Sequence, residues 1–297
     1  MHVLPSTRII ILYILGVTSV DQLIDITDDE IYEKYIDTIF DGIKLQQRVA
    51  DGVIIPEDGW NALVNGSAKG IQIMIGTTNG EYDFRATDWD NFPDPVKDPD
   101  VVWRAIVRSA SDKGDAKTVL TPVNHPDVVK EYLALDSDQV KRMQDLYNDV
   151  HYRQGSIYVA EALSAYTDVY MYYWCWAPNP QDVIALNGDW AEVSPWGRAM
   201  HCMDLIFVFG TVEDGYPELG GPGDKIPMDL VEQTQAAYYA FSKSGNPSND
   251  FIPEWKKYDT TTRYTMVIKE DNTWELVSDP RSKDRTVLNQ IRPITEQ

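Results

Sequence analysis

Two stretches decide the reading of this chain: Gly70-Ile71-Gln72-Ile73-Met74-Ile75-Gly76-Thr77-Thr78-Asn79-Gly80-Glu81-Tyr82-Asp83-Phe84 and Ala199-Met200-His201-Cys202-Met203-Asp204-Leu205-Ile206-Phe207-Val208-Phe209-Gly210. In the first, Gly70–Gly76 is nearly apolar and bounded by glycine, which predicts a strand. Without clear polar alternation, such a strand is expected to be buried on both faces, as in a parallel sheet covered by helices. It runs into a turn that presents the carboxylate of Glu81. In the second, a lone histidine, His201, stands before an apolar run.

Outward from these, the pattern alternates helices and strands. The opening 50 residues read as helices, with Ile31, Ile36, Ile39 and Phe40 on one apolar face. Thr27-Asp28-Asp29-Glu30 offers a capping box, a Thr N-cap with Glu three positions on. Asp51-Gly52-Val53-Ile54-Ile55-Pro56 is a turn and a short stretch stopped by proline; Trp60–Val64 is a helical turn closed by Asn65-Gly66. Further helices are expected around Val101–Ser109, beyond a loop holding Pro93, Pro95 and Pro99, and at Ser137–Tyr147 and Tyr158–Tyr166. Asp168–Trp176 is the second strong strand, and Ala177–Trp196, with its three prolines, reads as a loop leading to His201. Leu230–Phe241 is an amphipathic helix stopped by Ser244-Gly245-Asn246-Pro247. Tyr264–Lys269 and Thr273–Val277, split by Glu270-Asp271-Asn272, predict a hairpin.

The 297 residues carry a net charge of −21, which argues against nucleic acid or an anionic membrane surface as a partner. Nine tryptophans and 17 tyrosines supply a sizeable core. Cys175 and Cys202, the two cysteines, sit in apolar settings and are expected to be free thiols, which favours a reducing, cytoplasmic location. Ile9–Leu15 is an apolar run behind Arg8, but it is short for a span and Gly16-Val17-Thr18-Ser19 is a poor cleavage site, so a structural helix is expected there.

Several side chains fit weaker readings. Ser67, in Asn65-Gly66-Ser67-Ala68-Lys69-Gly70, resembles a nucleophile motif, but its second glycine is one residue too far and it precedes the strand, so it reads as a loop serine. His2, His125 and His151 lack metal-ligand spacing, and His151 with Asp149 reads as a helix-surface pair. Glu213-Asp214-Gly215 is a turn rather than a calcium loop. No metal or cofactor is expected.

The order of the motifs is similar to the C-terminal part of the type-B carboxylesterases, the α/β-hydrolases that include para-nitrobenzyl esterases and cholinesterases. Asp51–Pro56 resembles the family's D-G-x-x-x-P turn, and Gly76–Phe84 its G-T-x-x-x-E-x-x-x-F block, one residue short of the Phe spacing. Ala199–Gly210 resembles A-x-H-x-x-E-L-x-F-V-F-G, and Tyr238–Pro247 with Trp255 and Tyr258 resembles the closing W-x-x-F-A-x-x-G-x-P…W-P-x-Y region. The resemblance implies an α/β fold, a mostly parallel sheet flanked by helices, and a single domain over residues 1–297 that is incomplete at its N-terminal side. It further implies that Glu81 and His201 are the acid and base of a Ser–Glu–His triad acting on a small ester. Asp204 stands where the family has Glu, and Gly80 replaces the common Asp before the acid. No G-x-S-x-G, the strand-to-helix turn that exposes the serine in this fold, occurs in the 297 residues. The expectation is an ester-hydrolase fragment whose nucleophile and oxyanion loop lie elsewhere, inactive alone and prone to associate through an open sheet edge. A non-catalytic interaction module and an inactive truncated product are the alternatives.

Overall fold

The computed structural model describes residues 16–27, 29, 30, 33, 51–81, 83, 125–187, 194, 196–212 and 223–291. The apolar faces expected around 9–15 and 31–40, the helix at Val101–Ser109 with its proline loop, His2 and the 213–215 turn lie outside them. The chain forms two compact units, Met1–Asn65 and Gly66–Gln297.

The first unit confirms three local expectations, the capping box, the Asp51 turn and the helical turn over 60–64. A 3₁₀ turn spans Val20–Asp25. Behind it the capping box forms as predicted: the Thr27 backbone N–H and hydroxyl donate to the Glu30 carboxylate at 3.0 Å, while Glu30 N–H donates back to the Thr27 hydroxyl at 3.3 Å. In the Asp51 turn one carboxylate oxygen accepts from the N–H groups of Val53, Ile54 and Ile55. Helix α1 (Gly59–Val64) is capped by Asp58, whose side chain accepts from Asn61 N–H.

The second unit is built, among the described residues, on a four-stranded sheet in the order β1 (Ile73–Thr78), β2 (Val169–Trp174), β3 (Tyr264–Ile268), β4 (Trp274–Ser278). β1, β2 and β3 are parallel, with Thr78 opposite Trp174 and Trp174 opposite Ile268, and β3–β4 is the expected antiparallel hairpin. Parallel neighbours need helical crossovers. Between β1 and β2 run α2 (Pro126–Leu133), α3 (Gln139–Asn148), a π-turn (Asp149–Arg153) and α4 (Gln154–Leu163). Between β2 and β3 run α5 (Pro180–Asn187), α6 (Leu205–Phe209) and α7 (Met228–Ser244); α8 (Ser282–Leu288) follows β4. Gly245 ends α7 in the left-handed conformation at φ 74°, as its stop signal predicts.

Period-two alternation along β2 divides the core. Tyr170 and Trp174 pack with α6, α7 and Trp255, while Tyr173 lies beneath the Arg153 guanidinium and its hydroxyl accepts from Arg281. A separate apolar cluster joins α2, α3 and α8 through Tyr132, Leu146 and Leu288.

Three expectations change. β1 begins at Ile73 rather than Gly70, because Gly66 and Gly70, at φ 82° and 83°, fold 66–71 into turns. β1 is also half-buried over Ile73–Gly76 rather than covered on both faces, since it lies at the sheet's edge among the described residues. The proline-rich 177–196 stretch contains α5: Asn179 caps it, its side chain accepting from Gln181 N–H at 2.8 Å, and Pro180 occupies the first turn, where no N–H is needed.

Candidate active site

The site grows from the C-terminal end of β1. Beyond Thr78 the chain stays tied to the sheet: Asn79 N–H donates to Trp174 C=O, and Gly80 N–H to Ala199 C=O, both at 2.9 Å. The Asn79 side chain returns a bond by accepting from Ala199 N–H at 2.8 Å. Gly80 and Met200 form a parallel bridge, so the Glu81 turn and the histidine segment lie side by side although 120 residues separate them.

This juxtaposition brings the two predicted residues into contact. Glu81 Oε2 stands 2.6 Å from His201 Nδ1, and Glu81 Oε1 accepts from Thr78 N–H at 2.8 Å. His201 N–H also donates to Glu81 C=O at 3.2 Å. A carboxylate only accepts, so Nδ1 carries a proton, and in the neutral imidazole Nε2 then holds the lone pair. The carboxylate is 7% exposed and the imidazole 46%, so the carboxylate is walled in while the imidazole reaches solvent. The Tyr152 ring, presented by the π-turn, packs on the imidazole at 5.2 Å between centroids. Cys202, next in sequence, holds φ 66°, a left-handed conformation that costs of order 1 kcal/mol in a non-glycine residue and turns the chain sharply after His201.

Asp204 accepts from the Tyr172 hydroxyl at 2.8 Å. Burial pushes its carboxyl upward, and the nearby Glu81 charge adds to the effect. The Tyr172 ring crosses β1 where Gly76 leaves room, since a Cβ there would lie 2.4 Å from the ring.

Beneath the site lies a set of buried ions that the sequence did not announce. Arg198 forks onto Asp83, Nε to Oδ2 at 2.7 Å and Nη2 to Oδ1 at 2.8 Å, and its Nη1 donates to Asp145. Ser194 and Asn148 donate to Asp83 as well. Arg142 bonds both Asp145 and Asp284, and Arg281 continues the chain to Asp284 and Asp149. Asp149 is therefore not the surface partner of His151: it is 3% exposed, held by Arg281 and the Tyr132 hydroxyl, because the π-turn directs it inward. His151 instead packs against Tyr147.

Burial alone would push the Asp145 carboxyl up; Arg198, Arg281 and Lys141 outweigh it and hold it at about 2. A carboxyl depressed by folding adds stability above its unfolded value, near 4, and that stability disappears as pH falls through the folded value. Asp145→Asn should therefore flatten the stability–pH curve between about pH 4 and pH 2 by about 2 kcal/mol. Urea midpoints taken across that window check this; parallel curves for the two proteins would refute it.

Ser67 is exposed in the turn before β1, as a loop serine. Both cysteines are free thiols, and burial pushes that of Cys175 up to about 12. Among the described residues no three His, Cys, Asp or Glu side chains are arranged to hold a metal ion, and no helix is long and apolar enough to cross a membrane.

Comparison with known proteins settles the lineage, because residues 14–288 match the carboxylesterase family. The chain belongs to the carboxylesterase family. Para-nitrobenzyl esterase of Bacillus subtilis is 27% identical over 255 residues, 82% of this chain and 42% of its own length. Liver carboxylesterase of Sus scrofa is 23% identical over 283 residues, 88% of this chain and 44% of its own. This carboxylesterase-family chain thus spans less than half the length of those relatives. Among solved structures, a PNB esterase superposes with a TM-score of 0.62 at 23% identity, covering 95% of this chain and 53% of its own. The Geobacillus stearothermophilus carboxylesterase EST55 does so with a TM-score of 0.64 at 19% identity, over 95% and 54%. The fold is that of the α/β-hydrolases.

Proposed function

We propose that this chain supplies the acid and base of a carboxylic-ester hydrolase, and that the nucleophilic serine and oxyanion donors come from outside these 297 residues. The observation that carries the reading is the Glu81–His201 hydrogen bond, set at the C-terminal end of a parallel strand, where ligands gather in open α/β sheets. In this reading a serine Oγ attacks the ester carbonyl while His201 Nε2 takes its proton. The imidazolium, steadied by Glu81, returns that proton to the departing alkoxide and leaves an acyl-enzyme. His201 then deprotonates water, which attacks the acyl carbon, and the proton passes back to the serine as the acid departs. β1, a sheet edge among the described residues, is where a strand bearing the nucleophile would extend the sheet.

The test is para-nitrophenyl acetate and butyrate hydrolysis by this chain alone and together with a polypeptide carrying the nucleophile elbow, joined to it or separate. Activity in the combination, and background hydrolysis by this chain alone, is the expected result, since the chain alone provides neither nucleophile nor oxyanion donors. A second reading, an interaction module that has kept the esterase fold, draws on the lack of any G-x-S-x-G in the sequence. A folded assembly that contains the elbow yet stays silent would favour it over the hydrolase.

A further inference from the structure

We propose that Asp83 and Arg198 form a clamp that positions the acid and base, and that Gly80 is a glycine because the clamp fills the space a side chain would take. The proposal deepens the hydrolase reading and rests on it for its catalytic meaning. Asp83 lies two residues after Glu81 and Arg198 three before His201, so their forked ion pair ties together the two segments that must stay in register. Both ions are buried, Asp83 completely and Arg198 to 9% exposure. Their remaining bonds are supplied from elsewhere: Ser194 donates to Asp83 Oδ2 at 2.6 Å, Asn148 to Oδ1 at 3.0 Å, and Asp145 accepts from Arg198. A planar guanidinium gripped on two edges fixes orientation as well as distance, which an ammonium would not do.

Gly80 supplies an independent geometric sign. A Cβ built there would stand 2.7 Å from Asp83 Oδ2 and 2.9 Å from Arg198 Cβ, closer than real Cβ atoms approach. The residue immediately before the acid is thus packed directly onto the ion pair. That accounts for the departure at this position from the family's usual Asp. The clamp has something to do, because the Glu81–His201 bond joins a buried carboxylate to an imidazole whose ring is 46% exposed. Such a ring is packed on only part of its surface, so its orientation towards Glu81 depends on how firmly the two segments are held together. The Thr78 N–H holds only one oxygen of the acid.

The clamp predicts a spectroscopic signature that stability alone would not move. A neutral imidazole free of constraint favours the Nε2–H tautomer, whereas a carboxylate on Nδ1 holds the proton there. In the uniformly ¹⁵N-labelled chain, above the imidazole's titration range, His201 should read predominantly as Nδ1–H. Asp83→Asn, Arg198→Lys and Gly80→Ala should each shift it towards Nε2–H while the chain stays folded by its melting transition. Arg263→Lys, which weakens a different ion pair with Glu161, should lower stability yet keep the Nδ1–H form. Gly80→Ala keeps every charge and changes only the space, so it remains readable where the charge variants unfold. Wild-type tautomer in folded Gly80→Ala or Arg198→Lys protein would overturn the clamp. Loss of Nδ1–H in the unaltered chain would instead remove the acid–base pair itself, and with it the hydrolase reading.

Discussion

In an assembly that supplies the serine, His201→Ala should lower kcat for para-nitrophenyl butyrate by on the order of 10⁶, and Glu81→Gln by on the order of 10⁴, as in other serine triads. The two losses differ because the residues do different work. In the proposed mechanism His201 would move the proton at both steps, so its removal would leave only binding and oxyanion stabilisation. Glu81 would fix which nitrogen carries the proton, and its hydrogen bonds suggest how glutamine would spoil this. Thr78 N–H donates to Glu81 Oε1, so a glutamine in its place would turn its carbonyl oxygen there and point its amide N–H at His201 Nδ1. The imidazole would then accept at Nδ1 and carry its proton on Nε2, the nitrogen that has to receive the serine's proton. The glutamine keeps the size of the side chain and the number of its bonds, so association and melting should hardly change. Turnover within tenfold of the parent in either variant, with the assembly intact, would remove these residues from the mechanism.

The site was half legible in the sequence, and the division follows from physics. Glu81 and His201 stand in local patterns, a strand ending in a turn and a histidine opening an apolar run, and the resemblance to a family joined them across 120 residues. The hairpin, the Gly245 stop and the Thr27–Glu30 capping box are also local devices, each settled within a few residues of itself. Asp83 and Arg198 obey no such rule. A buried ion pair is specified by two distant positions meeting, and an isolated Asp or Arg in a polar stretch looks the same whether solvated or buried. The same blindness misread Asp149, whose partner Arg281 lies 132 residues on. Proline misled in the opposite way: Pro180 signals a break, but behind Asn179 it marks a helix start. The extent of β1 could not be read either, since burial of one strand depends on what lies beside it rather than on its own residues.

The largest expected effect on stability falls on Trp174, where sheet and site share one side chain. It ends β2 between Thr78 and Ile268, is 2% exposed, and packs its indole against Phe207 of α6 at 4.9 Å between centroids. Its Nε1–H donates to Trp176 C=O at 2.9 Å. Trp174→Ala removes this ring from a packed interior and leaves that carbonyl without its donor, a loss of about 3–5 kcal/mol. Against a total stability of roughly 5–15 kcal/mol, this should lower Tm by about 10 °C. Trp174→Phe keeps most of the packing and forfeits the hydrogen bond, so it should lose about 1 kcal/mol plus a small packing term. Leu186→Ala, at a half-exposed position on α5, should stay within about 0.5 kcal/mol of the parent. Urea midpoints would order the three variants. Because Phe207 anchors the helix that begins just past Asp204, the damage should also spread to His201, and its Nδ1–H signature should weaken well below the melting transition of Trp174→Ala. If Trp174→Ala instead melted within a degree or two of the parent, the indole would be filling space rather than bracing the histidine segment against the sheet.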